Sequence, residues 1–292
     1  MTSPKAIRVL VFGATGVGKT SLCNTLTGRV RPTNNGPFGV TEKTHLYPFI
    51  EHQGRRIQLI DTAGLHESNG GTVPPEQAAV QIVELLENSK HGFNAMLHVA
   101  RASRLTKEQE EDHEFFVRKM TESRVPTILV LTNCENEEPM SAWTDRNRSA
   151  FNKFGYAELV PTCFAKGGKL EEHFAPLRNQ SRTAVLDQVV KHALVEPYML
   201  YGEGTQRTLK DAVFHIWNQF VDWAKLPSHL RTKTNEGALQ LLKRLGVSDK
   251  LAEAAVRHLP DLIEDLASKT PIPGAGKLAR LVTLNLLNRF RK

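Results

Sequence analysis

Cysteine is scarce in this 292-residue chain, and its three occurrences, Cys23, Cys134 and Cys163, lie far apart. No two of them have CxxC or zinc-ligand spacing, which excludes a disulfide scaffold, a zinc knuckle and a thioredoxin-type redox motif. Buried, reduced thiols in a cytoplasmic setting are the expectation. Long apolar runs are also missing, so no segment suits a bilayer-spanning helix, and Met1-Thr-Ser-Pro-Lys5 opens no signal peptide. Internal repeats and low-complexity tracts are not seen. The net charge of +7 is not spread along the chain: Lys277, Arg280, Arg289, Arg291 and Lys292 crowd the last 16 residues, where no acid balances them. That distribution argues against a broadly basic nucleic-acid-binding surface and for one local contact with something anionic. What remains is ordinary for globular proteins, 40% hydrophobic and 24% charged residues, in a length that suits one or two domains with a substantial core.

Against this plain background one segment stands out. Gly13-Ala-Thr-Gly-Val-Gly-Lys19-Thr20 fits G-x-x-x-x-G-K-[ST], the loop that wraps a nucleotide's phosphates. Ile7–Phe12 before it has the apolar run of a short buried strand, and Ser21–Leu26 after it begins with helical spacing, so the strand–loop–helix context is complete. Gly13, Gly16 and Gly18 let main-chain N–H groups of Ala14, Thr15, Val17 and their neighbours approach phosphate oxygens. The start of the helix adds partial positive charge. Lys19 is placed to reach the β- and γ-phosphates, the Thr20 hydroxyl to ligate Mg²⁺, and Ser21 to border the same site.

The segments downstream carry further candidates, most of them following a predicted strand. Arg31–Pro37 is a Gly/Pro/Asn-rich loop leading to Thr41, whose hydroxyl suits Mg²⁺ and whose N–H suits the γ-phosphate, with Thr44 as the alternative. Leu46–Ile50 and Arg56–Ile60 form a predicted strand pair around Gln53-Gly54. The second strand ends in Asp61-Thr-Ala-Gly64, where the acid can hold the Mg²⁺ shell and the glycine can sense the γ-phosphate. Leu65–Pro75 reads as a long switch-like loop, followed by an amphipathic helix over Glu76–Ser89 with Ala79, Ile82, Val83 and Leu86 on one face. Strands over Phe93–Ala100, Val125–Leu131 and Glu158–Pro161 alternate with helices over Lys107–Thr121 and within Ala142–Phe154. Such alternation predicts an α/β fold, a mainly parallel sheet with helices on both faces, whose ligands bind beyond the strands' carboxyl ends.

Taken together, these residues resemble the guanine-nucleotide-binding (G) domain of translation-factor-related P-loop GTPases. Gly13–Thr20, Thr41 and Asp61–Gly64 match its first three motifs, Thr132-Asn133-Cys134-Glu135 stands where Asn/Thr-Lys-x-Asp is usual, and Phe164-Ala165-Lys166 where Ser-Ala-Lys is usual. Within that class the chain is most similar to the AIG1/GIMAP-like GTPases, relatives of septins and chloroplast import receptors, through Gly18-Lys-Thr-Ser with Asn24, Val40–Thr44 and Val99–Glu111. The resemblance implies binding of GTP and GDP with Mg²⁺, held by Thr20, Thr41 and Asp61. It implies base contacts from Thr132, Asn133, Glu135, Phe164, Ala165 and Lys166, and catalysis involving Lys19, Thr41 and Gly64. Three departures modify these expectations. Glu135 makes the guanine-reading contact from one methylene further out. Asn133 cannot lie against the purine as lysine does, so binding is expected to be weaker with guanine preference kept. Leu65 stands where glutamine would orient the attacking water, leaving His66 as the candidate substitute and predicting slow turnover without a partner or dimer.

From about Arg182 the strand signals stop. Leu186–Leu194, Leu209–Ala224, Asn235–Leu245, Lys250–Ala267 and Gly276–Phe290 read as helices, giving an expected boundary between a domain of residues 1–185 and a smaller all-α domain of residues 186–292. Trp217, Phe220, Val221 and Trp223 crowd one helix and suit helix–helix packing. The last helix places Leu278, Val282, Leu286 and Phe290 on one arc and basic residues on the other. It can dock on its own domain, lie on an anionic membrane surface or meet a protein partner. The leading expectation is a nucleotide-dependent switch controlling self-association through the nucleotide face, partner binding or peripheral membrane attachment. The alternative is a scaffold that binds nucleotide and barely hydrolyses it. An ATP-dependent kinase is disfavoured by Asp61–Gly64 combined with Ala165-Lys166, and nucleic acid is disfavoured as a partner.

Overall fold

The computed structural model describes residues 5–29, 44–62, 66–67, 71–72, 81–82, 85–86, 88–165, 168–202, 204–205, 207 and 209–223. The chain divides into two compact units, Met1–Met199 and Leu200–Lys292.

The first unit is built on a seven-stranded sheet. Ile7–Phe12 (β1) is almost wholly buried and pairs in parallel with Arg55–Asp61 (β4) on one side and Ala95–Arg101 (β7) on the other. Thr127–Thr132 (β8) and Glu158–Pro161 (β9) extend the parallel run outward from β7. The central strands β1, β7 and β8 are mostly apolar and buried because helices cover both faces, whereas β4 toward the edge carries Arg56 and Gln58. On the other edge, His45–Leu46 (β2) and Ile50–His52 (β3) both pair antiparallel with β4, and the Tyr47 N–H donates to the Leu59 carbonyl between them (2.9 Å). Pro48 has no N–H to continue that ladder, which accounts for one edge strand being split in two. The predicted turn at Gln53-Gly54 joins β3 to β4, with both residues at positive φ (47° and 70°) as a two-residue hairpin requires.

Side-chain alternation sends two sets of residues to the two faces. Ile7, Val9, Val11, Leu97, Val99, Ile128 and Val130 pack against Leu22, Cys23 and Leu26 of Lys19–Thr27 (α1) and against Val185, Leu186 and Val189 of Glu171–His192 (α4). On the opposite face, Phe12 stacks on His98 and meets Phe116 at a centroid distance of 4.6 Å in each case. Leu129, Leu131 and Leu159 cluster there with Cys134, Met140 and Phe151, beside Ala142–Asn147 (α3). Lys107–His113 (α2) opens with a capping box from Thr106 and Gln109 and then widens into a π-helix over Glu114–Met120.

Two expectations change. The stretch Leu65–Pro75, expected to be loop throughout, contains a short antiparallel pair of His66–Glu67 (β5) and Gly71–Thr72 (β6). The expected boundary after residue 185 falls inside α4, a single helix of 22 residues that runs through Pro176. Its carboxylate Asp187 also accepts from the Gln53 side chain (2.8 Å) and meets His52 Nε2 at 2.7 Å, so this helix belongs to the sheet-containing unit. The first unit ends at Met199, after the backbone bonds that pair Tyr198 with Phe93.

In the second unit the described helix is Leu209–Trp223 (α5). Ala212, Ile216, Trp217, Phe220, Val221 and Trp223 are buried, and the ring pairs Trp217–Phe220 and Phe220–Trp223 along this helix stand 5.5 Å apart. The helices expected beyond residue 224, including the basic stretch 277–292, lie outside the described residues.

Candidate nucleotide site

The carboxyl ends of five adjacent strands converge on one place. β1 runs into Gly13–Gly18, which leads to α1 with Gly18 (φ 105°) as its N-cap and no side-chain cap, so the first-turn N–H groups meet no capping side chain. Gly13 is at φ 142°, and a Cβ there would lie 2.3 Å from the Val99 carbonyl oxygen, so the loop can pass this close to β7 only with glycine. Lys19 is 5% exposed and folds back so that its ammonium donates to the carbonyls of Gly13 (2.7 Å) and Ala14 (2.9 Å). Burial lowers its pKa, while the charges of Asp61 and Asp112 act in the opposite sense.

Asp61 ends β4 in register with Val11 and is fully buried. Thr20 lies half-buried one residue after Lys19. Among the described residues no three His, Cys, Asp or Glu side chains gather as a metal-binding group. A hydroxyl and a single carboxylate beside a phosphate loop instead suit a hard cation that keeps waters and phosphate oxygens as ligands, as Mg²⁺ does.

The segments of the two remaining candidate motifs follow β8 and β9. Arg101 of β7 and Thr132 of β8 are register partners. The Thr132 hydroxyl donates to the Val17 carbonyl of the phosphate loop (2.9 Å), with the Asn133 side-chain oxygen at 3.2 Å. Asn133 is exposed and left-handed (φ 65°). The Cys134 N–H donates to the Thr162 carbonyl (3.1 Å) and the Thr162 N–H to the Leu131 carbonyl (2.7 Å), so the segments after β8 and β9 are bonded to each other. Glu135 is half-buried, and its Oε2 is buried with no hydrogen-bond partner among the described residues. A desolvated carboxylate oxygen without a donor is costly; a ligand presenting N–H groups would satisfy it. Phe164 is buried and Ala165 half-buried. Burial raises the pKa of the Cys134 thiol to about 11 and raises that of Cys163, so neither is a ready nucleophile.

Gly13, Ala14, Thr15, Gly16, Val17, Gly18, Lys19, Thr20 and Ser21 therefore share one strand-end cluster with Asp61, Thr132, Asn133, Glu135, Phe164 and Ala165. Thr41, Gly64 and Lys166 lie outside the described residues; the His66 backbone belongs to β5, but the placement of its side chain is likewise outside them. Three supports escaped the sequence reading. Arg101 donates to the Gly16 carbonyl (2.8 Å), and Arg178 of α4 donates to the Ala165 carbonyl (2.7 Å) while pairing with Glu171. Ser181 of α4 accepts from the Cys163 N–H (2.9 Å). Asp112 is 1% exposed, and burial pushes its carboxyl up to about 7 against the opposing pull of Lys19.

With this geometry in place, comparison with known families gives a direct result. Residues 8–133 match the family model described as 50S ribosome-binding GTPase. The sheet order, the phosphate loop and this match make the first unit a P-loop G domain. The chain is 27% identical over 225 residues to GTPase Der of Prochlorococcus marinus (strain NATL1A), covering 74% of this chain and 48% of that protein. It is 32% identical over 111 residues to Immune-associated nucleotide-binding protein 7 of Arabidopsis thaliana, covering 37% and 35%. The chain thus spans about half or less of the length of these relatives. Among solved structures, Era in complex with MgGDPNP and a 16S ribosomal RNA segment aligns at 18% identity and a TM-score of 0.48, covering 81% of this chain and 68% of Era. Toc33 from Arabidopsis thaliana with Mg²⁺ and GMPPNP aligns at 20% and 0.42, covering 64% and 85%.

Proposed function

We propose that this protein binds GTP and GDP with Mg²⁺, hydrolyses GTP slowly, and uses the difference between the two states as a switch. The observation that carries the guanine assignment is the buried Oε2 of Glu135, without a partner among the described residues, three residues after the Thr132 that is bonded to the phosphate loop. Guanine presents two adjacent N–H donors to a carboxylate; adenine lacks that pair. The G-domain loop of Gly13–Gly18, with Lys19 folded across it, supports phosphate binding. Thr20 and Asp61, with Thr41, would hold Mg²⁺, which when bound neutralises charge on the phosphate oxygens. Lys19 orients the β- and γ-phosphates, and Gly64 supplies an N–H to the γ-phosphate. Leu65 cannot hold the attacking water, so turnover is slow until a partner or a second copy supplies the missing group, with His66 as the internal candidate.

The finer placement with AIG1-like GTPases rests on the motif residues and stands beside the match to the immune-associated protein. The proposal extends to self-association through the nucleotide face, to anchoring of residues 277–292 on an anionic membrane or protein partner, and to a cytoplasmic location. It also keeps a functional division between nucleotide binding and output, moved from residue 185 to the end of the first unit at Met199. Isothermal titration of nucleotide-stripped protein with GTP, GDP and ATP, with and without Mg²⁺, tests the reading. Selective, Mg²⁺-sensitive guanine binding is expected. Equal binding of ATP, or none of any nucleotide, would overturn it and favour a scaffold whose base pocket Asn133 no longer supports.

A further inference from the structure

Four consecutive-region carbonyls of the phosphate loop are held from outside. Lys19 Nζ takes those of Gly13 and Ala14, Arg101 takes that of Gly16 at 2.8 Å, and Thr132 takes that of Val17 at 2.9 Å. In a trans peptide the C=O and the following N–H point in opposite directions. Fixing these carbonyls therefore fixes the N–H groups of Ala14, Thr15, Val17 and Gly18 on the other side of the loop. Such a row of aligned donors is what binds a polyphosphate.

Arg101 differs from the other two anchors. Lys19 and Thr132 are buried, whereas Arg101 is exposed and ends β7 beside Thr132. The bond from the Ala102 N–H to the Thr132 carbonyl (2.8 Å) holds the two anchors at a fixed separation. The Val17 N–H lies in the peptide that Arg101 grips, between the anchor points of Lys19 and Thr132.

We propose that Arg101 is a positioning residue for the nucleotide's phosphates. By holding the Gly16 carbonyl outward it aims the Val17 N–H into the phosphate site, and this raises affinity for nucleoside diphosphates and triphosphates. The inference rests on the guanine-nucleotide reading above. Its effect runs through the phosphates alone, so guanosine, which has none, is indifferent to it.

The test is competition binding of GDP, GTP and guanosine by wild-type, Arg101→Ala and Arg101→Lys proteins, at low salt and at high salt. Arg101→Ala is expected to weaken GDP and GTP about tenfold, to leave guanosine unchanged, and to leave the unfolding midpoint of nucleotide-free protein where it was. Lysine keeps one donor to a carbonyl and should restore most of the loss. The loss should persist at high salt, because a diffuse charge effect would be screened there. Wild-type affinity for GDP in Arg101→Ala would overturn the inference while leaving the functional reading intact. Equal loss of guanosine, or a loss that vanishes at high salt, would also overturn it. Failure of the wild-type protein to bind guanine nucleotides would remove both.

Discussion

Replacing Glu135 by glutamine exchanges one carboxylate oxygen for an amide nitrogen at the group proposed to read the base. The loop that carries Glu135 is tied down on both sides, Cys134 being bonded to Thr162 and Thr132 to Val17, and the Glu135 Oε2 is buried without a partner among the described residues. As a carboxylate it can accept both N–H groups on guanine's edge, each bond involving a charged acceptor and worth about 1.5–3 kcal/mol. Glutamine keeps one acceptor, now neutral and worth about 1 kcal/mol, and sets an N–H against the second guanine N–H. The expected net loss is about 2–4 kcal/mol, or about 30- to 1,000-fold in GDP affinity. Xanthine carries a carbonyl where guanine carries its amine, so the glutamine amide becomes a matching donor. Displacement of a fluorescent GDP analogue by GDP, XDP and ADP measures all three. GDP should weaken, XDP should strengthen, and ADP should stay where it was. Unchanged GDP affinity would show that Glu135 does not face the base. Parallel weakening of every nucleotide would show that the substitution had only loosened the loop.

Three further outcomes follow from the site's packing. Gly13→Ala would force a Cβ to within 2.3 Å of the Val99 carbonyl oxygen at φ 142°. Urea denaturation should show a loss of about 2–4 kcal/mol together with lost nucleotide binding, and a neutral result would mean that β1 and β7 separate freely here. Asp112 has a pKa raised from 3.8 to about 7 by burial, so the unfolded chain releases this proton first as pH rises. Its contribution is intact below pH 4 and lost as pH climbs through 7, up to about 4 kcal/mol; Asp112→Asn should therefore gain stability over wild type steadily from pH 4 to 8, and parallel pH curves would refute this. His98 has its pKa lowered from 6.5 to about 3 by burial, helped by the nearby His113 and Lys19 charges, and its Nδ1 lies 2.7 Å from the Tyr156 hydroxyl. That contribution is present above pH 6.5 and lost as pH falls toward 3, so the double variant His98→Leu with Tyr156→Phe should flatten part of the acid limb of a stability–pH curve. An unchanged acid limb would place the acid sensitivity elsewhere.

The strand–loop–helix around Gly13–Thr20 was legible because each step has its own signal: an apolar run, glycines at fixed offsets, then helical spacing. The β3–β4 hairpin was legible from Gln53-Gly54 for the same reason. Helix α4 was missed before residue 186 because Pro176 reads as a breaker and its apolar residues form no single stripe. The structure tolerates that proline inside the helix, and Val185, Leu186 and Val189 supply the burial that propensity does not. The burial of Asp112 was hidden in the charged run Lys107–Glu114. A regular 3.6-residue period gives no warning that the helix widens after His113, or that Asp112 and His113 lie side by side in the core. Arg101 and Arg178 were invisible for a different reason. Each acts on a main-chain carbonyl of a distant loop, a relation fixed by strand register and helix placement and not by local spacing.

Asn133 draws these threads together. Read from sequence, it is a lysine lost from a base-binding motif, and the expected consequence is a weaker grip on the purine. In the structure the position is left-handed, a conformation in which asparagine is strained less than most side chains. Its side-chain oxygen also lies 3.2 Å from the Thr132 hydroxyl, whose nearer acceptor is the Val17 carbonyl at 2.9 Å. The residue that cannot cover the base therefore suits the left-handed bend just before Glu135, next to the threonine that is bonded to the phosphate loop. Selectivity and affinity are separated by this arrangement. On the proposed reading, Glu135 would choose guanine, while Asn133 would not add the purine-face contact that a lysine makes. Weak but guanine-selective binding is the combination that this geometry favours.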